Sequence, residues 1–456
     1  MLDFSKLEDF IFEKMSKTHL PGLSIAMVKD GEVVYRRGFC LRDLEYGLRA
    51  TPNTLYSIGS ITKSFTGLSI MQLVEQGRLS LDDPISKYVP LDLKSLEEPV
   101  KVWHLLSHTS GIPALGYAEA FIRYVTGAGD KWIPIASYED IFTFMREANQ
   151  WALTKPGERW FYLNEGYLVL GFIIEKLSGM RYEEYVKKRI LVPLQMSRSF
   201  FKKEEVEADS DVATPYIITR DGECKKSTYP YGPISSDGGL ISNVLDLARY
   251  ITMYLNRGKY NGNTLLSSEL IEEMEKPRIR RPLQIFGGEA YGYGLGIIPN
   301  FLGTKLVGHG GSVLVATAYM GYIPAKGVGI ALLANGSGYP LPQIGLYGLA
   351  LMLDKNPENL PFIKMERIFD LLTGFYETYK GTMKAQIANK GGILQIEIKD
   401  KYRDMIIPLI PENMEGEVKT FYTVQGGGKL SVEFVVKEDK VELIYERYRL
   451  KKVGTF

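Results

Sequence analysis

The chain has 456 residues, of which 45% are hydrophobic and 24% charged, a composition typical of packed globular domains and not of disordered or fibrous proteins. This length predicts more than one domain. The formal net charge of +1, from 55 basic and 54 acidic residues, argues against a nucleic-acid partner. Cys40 and Cys224 match no disulfide or metal pattern, and the four histidines are scattered, so we expect neither metal nor cofactor.

The opening residues lack the basic start and apolar core of a secretion signal. Apolar runs stay below the about 18 residues that a membrane helix needs. We therefore expect a cytoplasmic protein with no membrane partner.

Helices dominate the first half of the chain. Residues 4–18 carry apolar side chains at helical spacing, and Asp30-Gly31 between two β-rich runs predicts a hairpin. From Ser60 an amphipathic pattern predicts a helix that ends at Gly77. Further helical patterns follow at 139–148, 165–178 and 244–256.

Strands return after about residue 290, with a hairpin predicted from the runs 313–323 and 328–334. A helix over 341–354 follows. This order predicts an α+β fold, in which an antiparallel sheet carries the terminal helices on one face and a helical lobe on the other.

The amino-acid composition changes at 355–363, where two prolines and several polar residues predict a linker. Short β-rich runs separated by glycine turns then predict a small barrel or sandwich; they are 382–388, 393–399, 417–424, 429–436 and 440–450. We place the two domains at 1–360 and 361–456.

The pattern S-x-x-K occurs twice, at Ser60–Lys63 and at Ser199–Lys202. Ser60 opens a helix, where backbone N–H groups and the helix dipole favour negative charge on its oxygen. Lys63 projects from the same face, and burial there would favour its neutral, proton-accepting form. A helix-capping serine with a solvated lysine is an equally weighted alternative.

Two later motifs carry further polar groups. Tyr162-x-Asn164 stands just before a predicted helix, and a tyrosine acts as a base when a nearby cation such as Lys63 stabilises its phenolate. His309-Gly310-Gly311-Ser312 precedes a strand, and its N–H groups are candidates for an oxyanion hole. Taken singly, each stretch fits a structural role better: the first as an aromatic core segment with Asn164 as a helix cap, the second as a plain glycine-rich turn.

Together and in this order, the motifs resemble those of the penicillin-recognising serine hydrolases, which include class C β-lactamases, D-aminopeptidases, D-alanyl-D-alanine carboxypeptidases and related esterases. The chain looks most like the CubicO group, over roughly residues 5–355. Further matching segments are 105–112, 156–158, 238–242, 246–249 and 293–296. The resemblance implies a β-lactamase/transpeptidase-like catalytic domain.

Carried over by position, the resemblance implies that Ser60 is acylated while Lys63 and Tyr162 share its proton. Asn164 would hold Lys63 and the acyl amide, and His309 would stand beside Tyr162 in place of the third-motif lysine. The N–H groups of Ser60 and Ser312 would form the oxyanion hole, with Gly310 and Gly311 letting substrate approach. His108, within a family signature, is interpreted as structural.

The histidine at 309 binds a substrate carboxylate less well than a lysine does, which weakens an antibiotic-hydrolase function. The C-terminal part resembles the lipocalin-like module of archaeal CubicO-type serine peptidases, which act on peptides with D-amino acids and assemble as octamers. We therefore expect a homo-oligomeric serine peptidase acting on small peptides. A carboxylesterase and a slow-turnover penicillin-binding protein are the alternatives.

Overall fold

The computed structural model describes residues 4–129, 135–232, 235–338, 340–399, 401–402, 404–438 and 440–455. It separates into two compact units, Met1–Lys355 and Asn356–Phe456. Within the described ranges, every helix is too short or too polar to cross a membrane.

The first unit is built on a mixed set of long and very short strands. In chain order they are β1 (Gly22–Lys29), β2 (Glu32–Asp43), β3 (Leu48–Arg49), β4 (Tyr56–Ser57), β5 (Lys94–Ser95), β6 (Glu98–Pro99), β7 (Tyr216–Ile218), β8 (Cys224–Lys226), β9 (Ile241–Ser242), β10 (Lys259–Tyr260), β11 (Asn263–Thr264), β12 (Ile279–Arg280), β13 (Ala290–Tyr291), β14 (Gly296–Phe301), β15 (Thr304–Ser312), β16 (Thr317–Ile323) and β17 (Val328–Ala334).

One nine-stranded sheet organises this unit, in the order β12-β13-β14-β15-β16-β17-β1-β2-β3. Its pairs are antiparallel, and the hairpin predicted at Asp30-Gly31 joins β1 to β2. The central strands β16 and β17 are buried along their whole length. Such strands are apolar on both faces because helices cover both.

The helices of the first unit are α1 (Ser5–Thr18), α2 (Thr62–Glu75), α3 (Val102–Leu106), α4 (Tyr117–Val125), α5 (Tyr138–Phe144), α6 (Asn164–Ser178), α7 (Tyr182–Val186), α8 (Lys203–Glu207), α9 (Ser235–Gly238), α10 (Val244–Leu255), α11 (Ser268–Met274) and α12 (Leu341–Met352). The terminal helices α1 and α12 pack together, and α12 also covers β16 and β17. Helix α10 contacts the same strands, with Ile251 facing Gly329 where α12 meets the neighbouring Ile330. Alternate residues of β17 thus face the two helical layers, as the α+β expectation required.

Two predictions drawn from local sequence patterns were wrong in this unit. The run 313–316, predicted as strand, is the turn between β15 and β16, closed by the N–H of Val313 on the carbonyl of Ala316. Its apolar side chains Val313, Val315 and Ala316 pack into a small cluster with Leu55, so burial made them look like strand residues. Ser60 lies on a single 3-10 turn, Gly59–Ile61, which leads into α2.

The second unit is a closed antiparallel barrel preceded by a helix, α13 (Pro361–Leu372). Its strands are β18 (Gly374–Glu377), β19 (Lys384–Lys390), β20 (Ile393–Lys399), β21 (Asp404–Asn413), β22 (Val418–Gln425), β23 (Gly428–Lys437), β24 (Lys440–Tyr445) and β25 (Tyr448–Gly454). Large apolar side chains such as Tyr376, Leu394, Phe421 and Phe434 fill the interior as one core. The structure therefore selects the barrel over the sandwich.

The predicted linker is partly helical. Pro361 occupies the first position of α13, where its missing N–H is not needed and its fixed φ suits the helix. The proline that suggested a break therefore starts a helix, and the two units divide after Lys355.

Candidate active site

Ser60 and Lys63 come together at the start of α2. Gly59 has φ +50, a conformation that suits glycine, and turns the chain so that Ser60 faces a cleft. Lys63 is completely buried, and its Nζ donates to Ser60 Oγ at 3.2 Å and to the carbonyl of Asp237 at 2.7 Å. A buried amine within hydrogen-bond distance of a hydroxyl at a cleft is the geometry of a base beside a nucleophile.

The second S-x-x-K pattern has no such geometry. Ser199 is buried and its hydroxyl bonds to Ser242 Oγ at 2.8 Å and to the carboxylate of Asp246 at 2.9 Å. Lys202 is exposed. The hydroxyl of Ser199 therefore ties two segments of the fold together.

Tyr162 lies on the loop just before α6 and lines the same cleft. The Nζ of Lys63 is 4.9 Å from the centroid of its ring. Its hydroxyl is buried and has no hydrogen-bond partner among the described residues. A phenol held beside a lysine with its oxygen unused is available for proton transfer.

Asn164 is placed differently from the expectation. Its Nδ2 donates to Glu119 on α4 at 3.1 Å, whereas the hydrogen bonds of Lys63 go to Ser60 and Asp237. The predicted contact between Asn164 and Lys63 is therefore wrong for this structure, because the carbonyl of Asp237 takes that position. Asn164 still lines the cleft, together with Glu119.

The third motif lies within a strand. His309, Gly310, Gly311 and Ser312 form the end of β15 and pair with β16, so the expected turn before a strand is wrong. A Cβ on Gly311 would lie 2.0 Å from the carbonyl of Ile58 and 3.2 Å from the N of Ser60. Only glycine allows this strand end to pack against the backbone of the nucleophile.

The same close packing brings the two amides of the expected oxyanion hole to one place. A Cβ on Gly59 would lie 2.7 Å from the N of Ser312. The backbone of Ser60 and the end of β15 thus flank the same edge of the cleft, which both serines line.

His309 is neutral and held on both sides. Burial is the main reason that its pKa falls to about 3, and the cations Lys63 and Arg281 lower the pKa further. Its Nδ1 donates to the carbonyl of Gly310 at 2.5 Å, so its Nε2 accepts from the hydroxyl of Tyr291 at 2.8 Å. His309 thus bonds to Tyr291 and lines the same cleft as Tyr162.

His108 supports the tyrosine of the site. Its Nδ1 accepts from the N–H of Leu163 at 3.1 Å, and its ring lies 4.1 Å from that of Tyr162. Burial, with the charge of Lys63 next in size, lowers its pKa well below the ordinary value. The structural interpretation of His108 is consistent with this geometry, in which the residue also fixes the loop that carries Tyr162.

Two buried carboxyl groups interact near the site, since the charge of Glu165 acts on Asp237, as does the charge of Lys63. Burial raises the pKa of Asp237 to about 7, against the opposing charge of Lys63, and one of its oxygens has no partner among the described residues. Burial also raises the pKa of Glu165, whose Oε1 accepts from the N–H of Tyr117 at 2.9 Å. Perturbed carboxyl groups at a cleft are typical of functional sites.

One cleft of about 570 Å³ is lined by the predicted site residues other than Lys63, namely Ser60, Tyr162, Asn164, His309, Gly310, Gly311 and Ser312. Its wall contains several residues that the sequence did not single out, namely Glu119, Arg123, Trp160, Asp237, Arg281 and Tyr291. Arg281 belongs to the basic run 278–281, and no other residue of that run lines the cleft. Within the described ranges, no three His, Cys, Asp or Glu side chains gather as a metal-binding group.

Two of these residues have a weak signal in the sequence. Asp237 is an acidic residue directly before Gly238-Gly239, inside an otherwise small and apolar stretch. Arg281 alternates with Ile279, which places it at the edge of the sheet, but only the fold brings that edge to the cleft.

Comparisons with known proteins show the family of the chain. Residues 7–351 match the beta-lactamase family model, and residues 357–451 match the model of the Pab87 octamerisation domain. An octameric penicillin-binding protein homologue from Pyrococcus abyssi has a structure that superposes with a TM-score of 0.95 at 53% identity, covering 99% of this chain and 100% of that one.

Curated relatives are more distant. Penicillin-binding protein 4* of Bacillus subtilis is 25% identical over 462 residues, which cover 96% of this chain and 95% of that protein. Protein flp of Staphylococcus aureus is 27% identical over 350 residues, 74% of this chain and 64% of flp. In strain MW2 the match is 33% over 210 residues, and this chain spans only 40% of that flp. By the family match and the Pyrococcus abyssi structure, the chain belongs to the beta-lactamase family.

Proposed function

We propose that this protein is a serine peptidase that hydrolyses small peptides, including peptides with D-amino acids, through an acyl-enzyme on Ser60. The observation that carries the proposal is the 3.2 Å contact between the buried Nζ of Lys63 and Ser60 Oγ at the wall of the cleft. The family match and the similarity to penicillin-binding proteins support it. The preference for D-residues follows from the resemblance of the motifs.

In the proposed reaction, Nζ of Lys63 takes the proton of Ser60 as Oγ attacks the scissile carbonyl. The backbone N–H groups of Ser60 and Ser312 stabilise the oxyanion, since Gly59 and Gly311 bring the two segments together. Lys63 then returns this proton through the hydroxyl of Tyr162 to the leaving amine as the C–N bond breaks, which leaves the acyl ester on Ser60 and restores both groups. Water then hydrolyses the ester, with Lys63 and Tyr162 as the base.

A fluorophosphonate probe tests the nucleophile directly. We expect one adduct, on Ser60, located by mass spectrometry, and no adduct in Ser60→Ala. Ser199→Ala is the matched control, because it removes a buried serine from the other S-x-x-K pattern, and we expect it to label normally. An adduct that survives in Ser60→Ala would overturn the assignment.

A panel of D- and L-aminoacyl amides and esters tests the reaction class. Turnover of D-amides supports the peptidase, and turnover of esters alone would make the protein a carboxylesterase. A Ser60 adduct with penicillin that persists for hours, without peptide turnover, would make it a slow penicillin-binding protein.

We also propose that the chain forms a homo-octamer through its second unit. The match of residues 357–451 to an octamerisation domain and the octameric relative support this. Outward-facing apolar side chains on adjoining barrel strands offer a contact surface, among them Ile393, Ile406 and Ile410. Light scattering after size exclusion should give eight times the 51.4 kDa of one chain; a monomer mass would contradict it.

A further inference from the structure

Beyond Ser312, the wall of the cleft becomes apolar. Val313 and Leu314 directly follow Ser312, and both line the cleft. Leu314 is half-buried at the tip of the hairpin that joins β15 to β16, where the N–H of Val313 donates to the carbonyl of Ala316 at 3.1 Å. Two residues of chain span at most about 7 Å, so the side chain of Leu314 begins close to the amide of Ser312.

Helix α4 completes this apolar wall. Ala118 and Ile122 are about one turn apart, so they share one face of α4, and both line the cleft. Ile122 also packs against the buried cluster of the hairpin tip, which contains Val313 and Val315. The helix and the hairpin tip that carries Leu314 are therefore packed together, and their apolar side chains border one part of the cleft.

The charged residues of α4 form a separate row. Glu119 and Arg123 also line the cleft, but each is displaced by one residue, about 100° around the helix axis, from Ala118 and Ile122. Glu119 accepts from Nδ2 of Asn164 at 3.1 Å. A charged group placed against the row of Ala118 and Ile122 would lose its water without gaining a partner, which is unfavourable.

Leu314 holds its position in an unfavourable backbone conformation. Its φ of +68 lies in the left-handed region, which favours glycine and asparagine over leucine. Leu302, at the tip of the preceding hairpin from β14 to β15, has a φ of +51 and is also half-buried, but it does not line the cleft. Because the two leucines share the conformation, only the place of Leu314 in the cleft wall points to a ligand.

The groups that move protons decide which part of a substrate meets this apolar wall. In the proposed reaction Tyr162 passes a proton to the leaving amine, and its ring lies 5.8 Å from that of Trp160. Trp160 lies 6.3 Å from the ring of Tyr291, the partner of His309. His309 precedes the oxyanion amide of β15 by three residues, roughly 10 Å, whereas the hairpin tip follows that amide. The leaving amine therefore faces the aromatic side, and the residue whose carbonyl is attacked faces the hairpin tip.

We propose that Leu314 and Ile122 border an apolar subsite for the side chain of the residue whose carbonyl Ser60 attacks, so that substrates with an aliphatic side chain there are preferred. This inference rests on the proposed function, because it names the substrate class of the same cleft. Each methylene that such a subsite buries favours the transition state by about 10-fold or more. Leu314 acts as a specificity-determining residue, while the chemistry stays with Ser60 and Lys63.

The test compares the p-nitroanilides of D-alanine, D-leucine and D-glutamate, which share the leaving group and differ only in the acyl residue. We expect the wild type to favour D-leucine in kcat/KM by at least about 10-fold over D-alanine and about 100-fold over D-glutamate. Leu314→Asn suits the left-handed conformation and should lower the ratio of D-leucine to D-alanine turnover by about 5- to 20-fold. Ile122→Ala, which opens the subsite from the helix side, should lower this ratio in the same direction.

Leu302→Asn is the matched control, since it makes the same change in the same backbone conformation before the other end of β15, and it should leave the ratio unchanged. Equal kcat/KM for the three substrates in the wild type, or a preference for D-leucine that survives in both Leu314→Asn and Ile122→Ala, would overturn the inference while leaving the peptidase intact. Turnover that persists in Ser60→Ala would instead overturn the proposed function, and this inference with it.

Discussion

The two units differ in how they treat buried polar atoms. In the first unit, buried side-chain atoms without a hydrogen-bond partner occur at several places, and those of Trp160, Tyr162, Asp237 and Arg281 lie on residues that line the cleft. Among the described residues of 356–456, no buried side-chain nitrogen or oxygen lacks a partner. Each such atom costs about 1–3 kcal/mol, so the first unit tolerates a cost at its cleft and elsewhere that the barrel avoids.

The barrel shows the opposite arrangement. Its interior is a continuous apolar core. On its outer surface, several apolar side chains are exposed to solvent, among them Ile393, Ile410 and Val424. A domain of this size has little stability to spare and cannot tolerate many unsatisfied polar groups. The first unit therefore carries the candidate site, whereas the barrel is built for packing.

The largest effect is expected from the lysine of the site. Lys63→Ala should lower kcat/KM by about 10³- to 10⁴-fold near neutral pH, because it removes the amine that contacts Ser60 Oγ, and residual activity should rise at high pH. Steady-state kinetics measure this, and the oligomer mass should not change. Lys202→Ala, the exposed lysine of the second pattern, is the control. Activity near the wild-type level in Lys63→Ala would contradict the role of Lys63 as the base that activates Ser60.

The barrel core should respond in stability alone. Phe421 is fully buried, so Phe421→Ala should lower the free energy of unfolding of the barrel by about 3–5 kcal/mol, whereas Phe375→Ala, at a 43% exposed position, should change it by less than about 1 kcal/mol. Hydrogen exchange of residues 374–454 measures the effect. The four tryptophans lie at positions 103, 132, 151 and 160, so their fluorescence reports the first unit and should not shift. A shift there would show that the units unfold together.

The outer surface of the barrel should respond in assembly. Ile410→Glu places a charge in the apolar strip where Ile393, Ile410 and Tyr422 adjoin on neighbouring strands, and should reduce the octamer to smaller species. Ile410→Val keeps the apolar surface and should remain octameric. Light scattering measures the mass, and kcat/KM per chain should stay within about 3-fold. An intact octamer in Ile410→Glu would remove this strip from the proposed interface.

Elements whose signal is local could be predicted from the sequence. The hairpin at Asp30-Gly31 and the helices at 5–18, 164–178 and 244–255 agree with their patterns within a few residues. Elements that depend on partners far along the chain could not. The short edge strand β12 exists because β13 pairs with it, and β18 of the barrel closes against β25 from the far end of the unit.

The candidate site divides in the same way. Ser60 and Lys63 share one helical turn, so their spacing alone predicts their contact. Asp237 and Arg281 reach the cleft from distant segments, and no local pattern shows that. The expected bond of Asn164 to Lys63 was wrong for a similar reason, because the backbone carbonyl that replaces it belongs to residue 237.

The smallest effect concerns the buried carboxyl of Asp237. Burial raises its pKa from an ordinary 3.8 to about 7, so the folded protein binds this proton more tightly than the unfolded chain, and stability is lost as the pH rises from about 4 to about 7. The side chain of Asp237→Asn does not titrate. The difference in free energy of unfolding between this variant and the wild type should therefore shift in favour of the variant by about 1.4 kcal/mol for each pH unit in that window. Asp209→Asn is the opposite control, because the hydrogen bond from Arg198 lowers the pKa of Asp209 and its stabilisation is present only above the ordinary value. Urea unfolding at pH 4.5 and 7 measures both. If the free energy of unfolding of Asp237→Asn differs from that of the wild type by the same amount at both pH values, burial does not disfavour the charged form of Asp237.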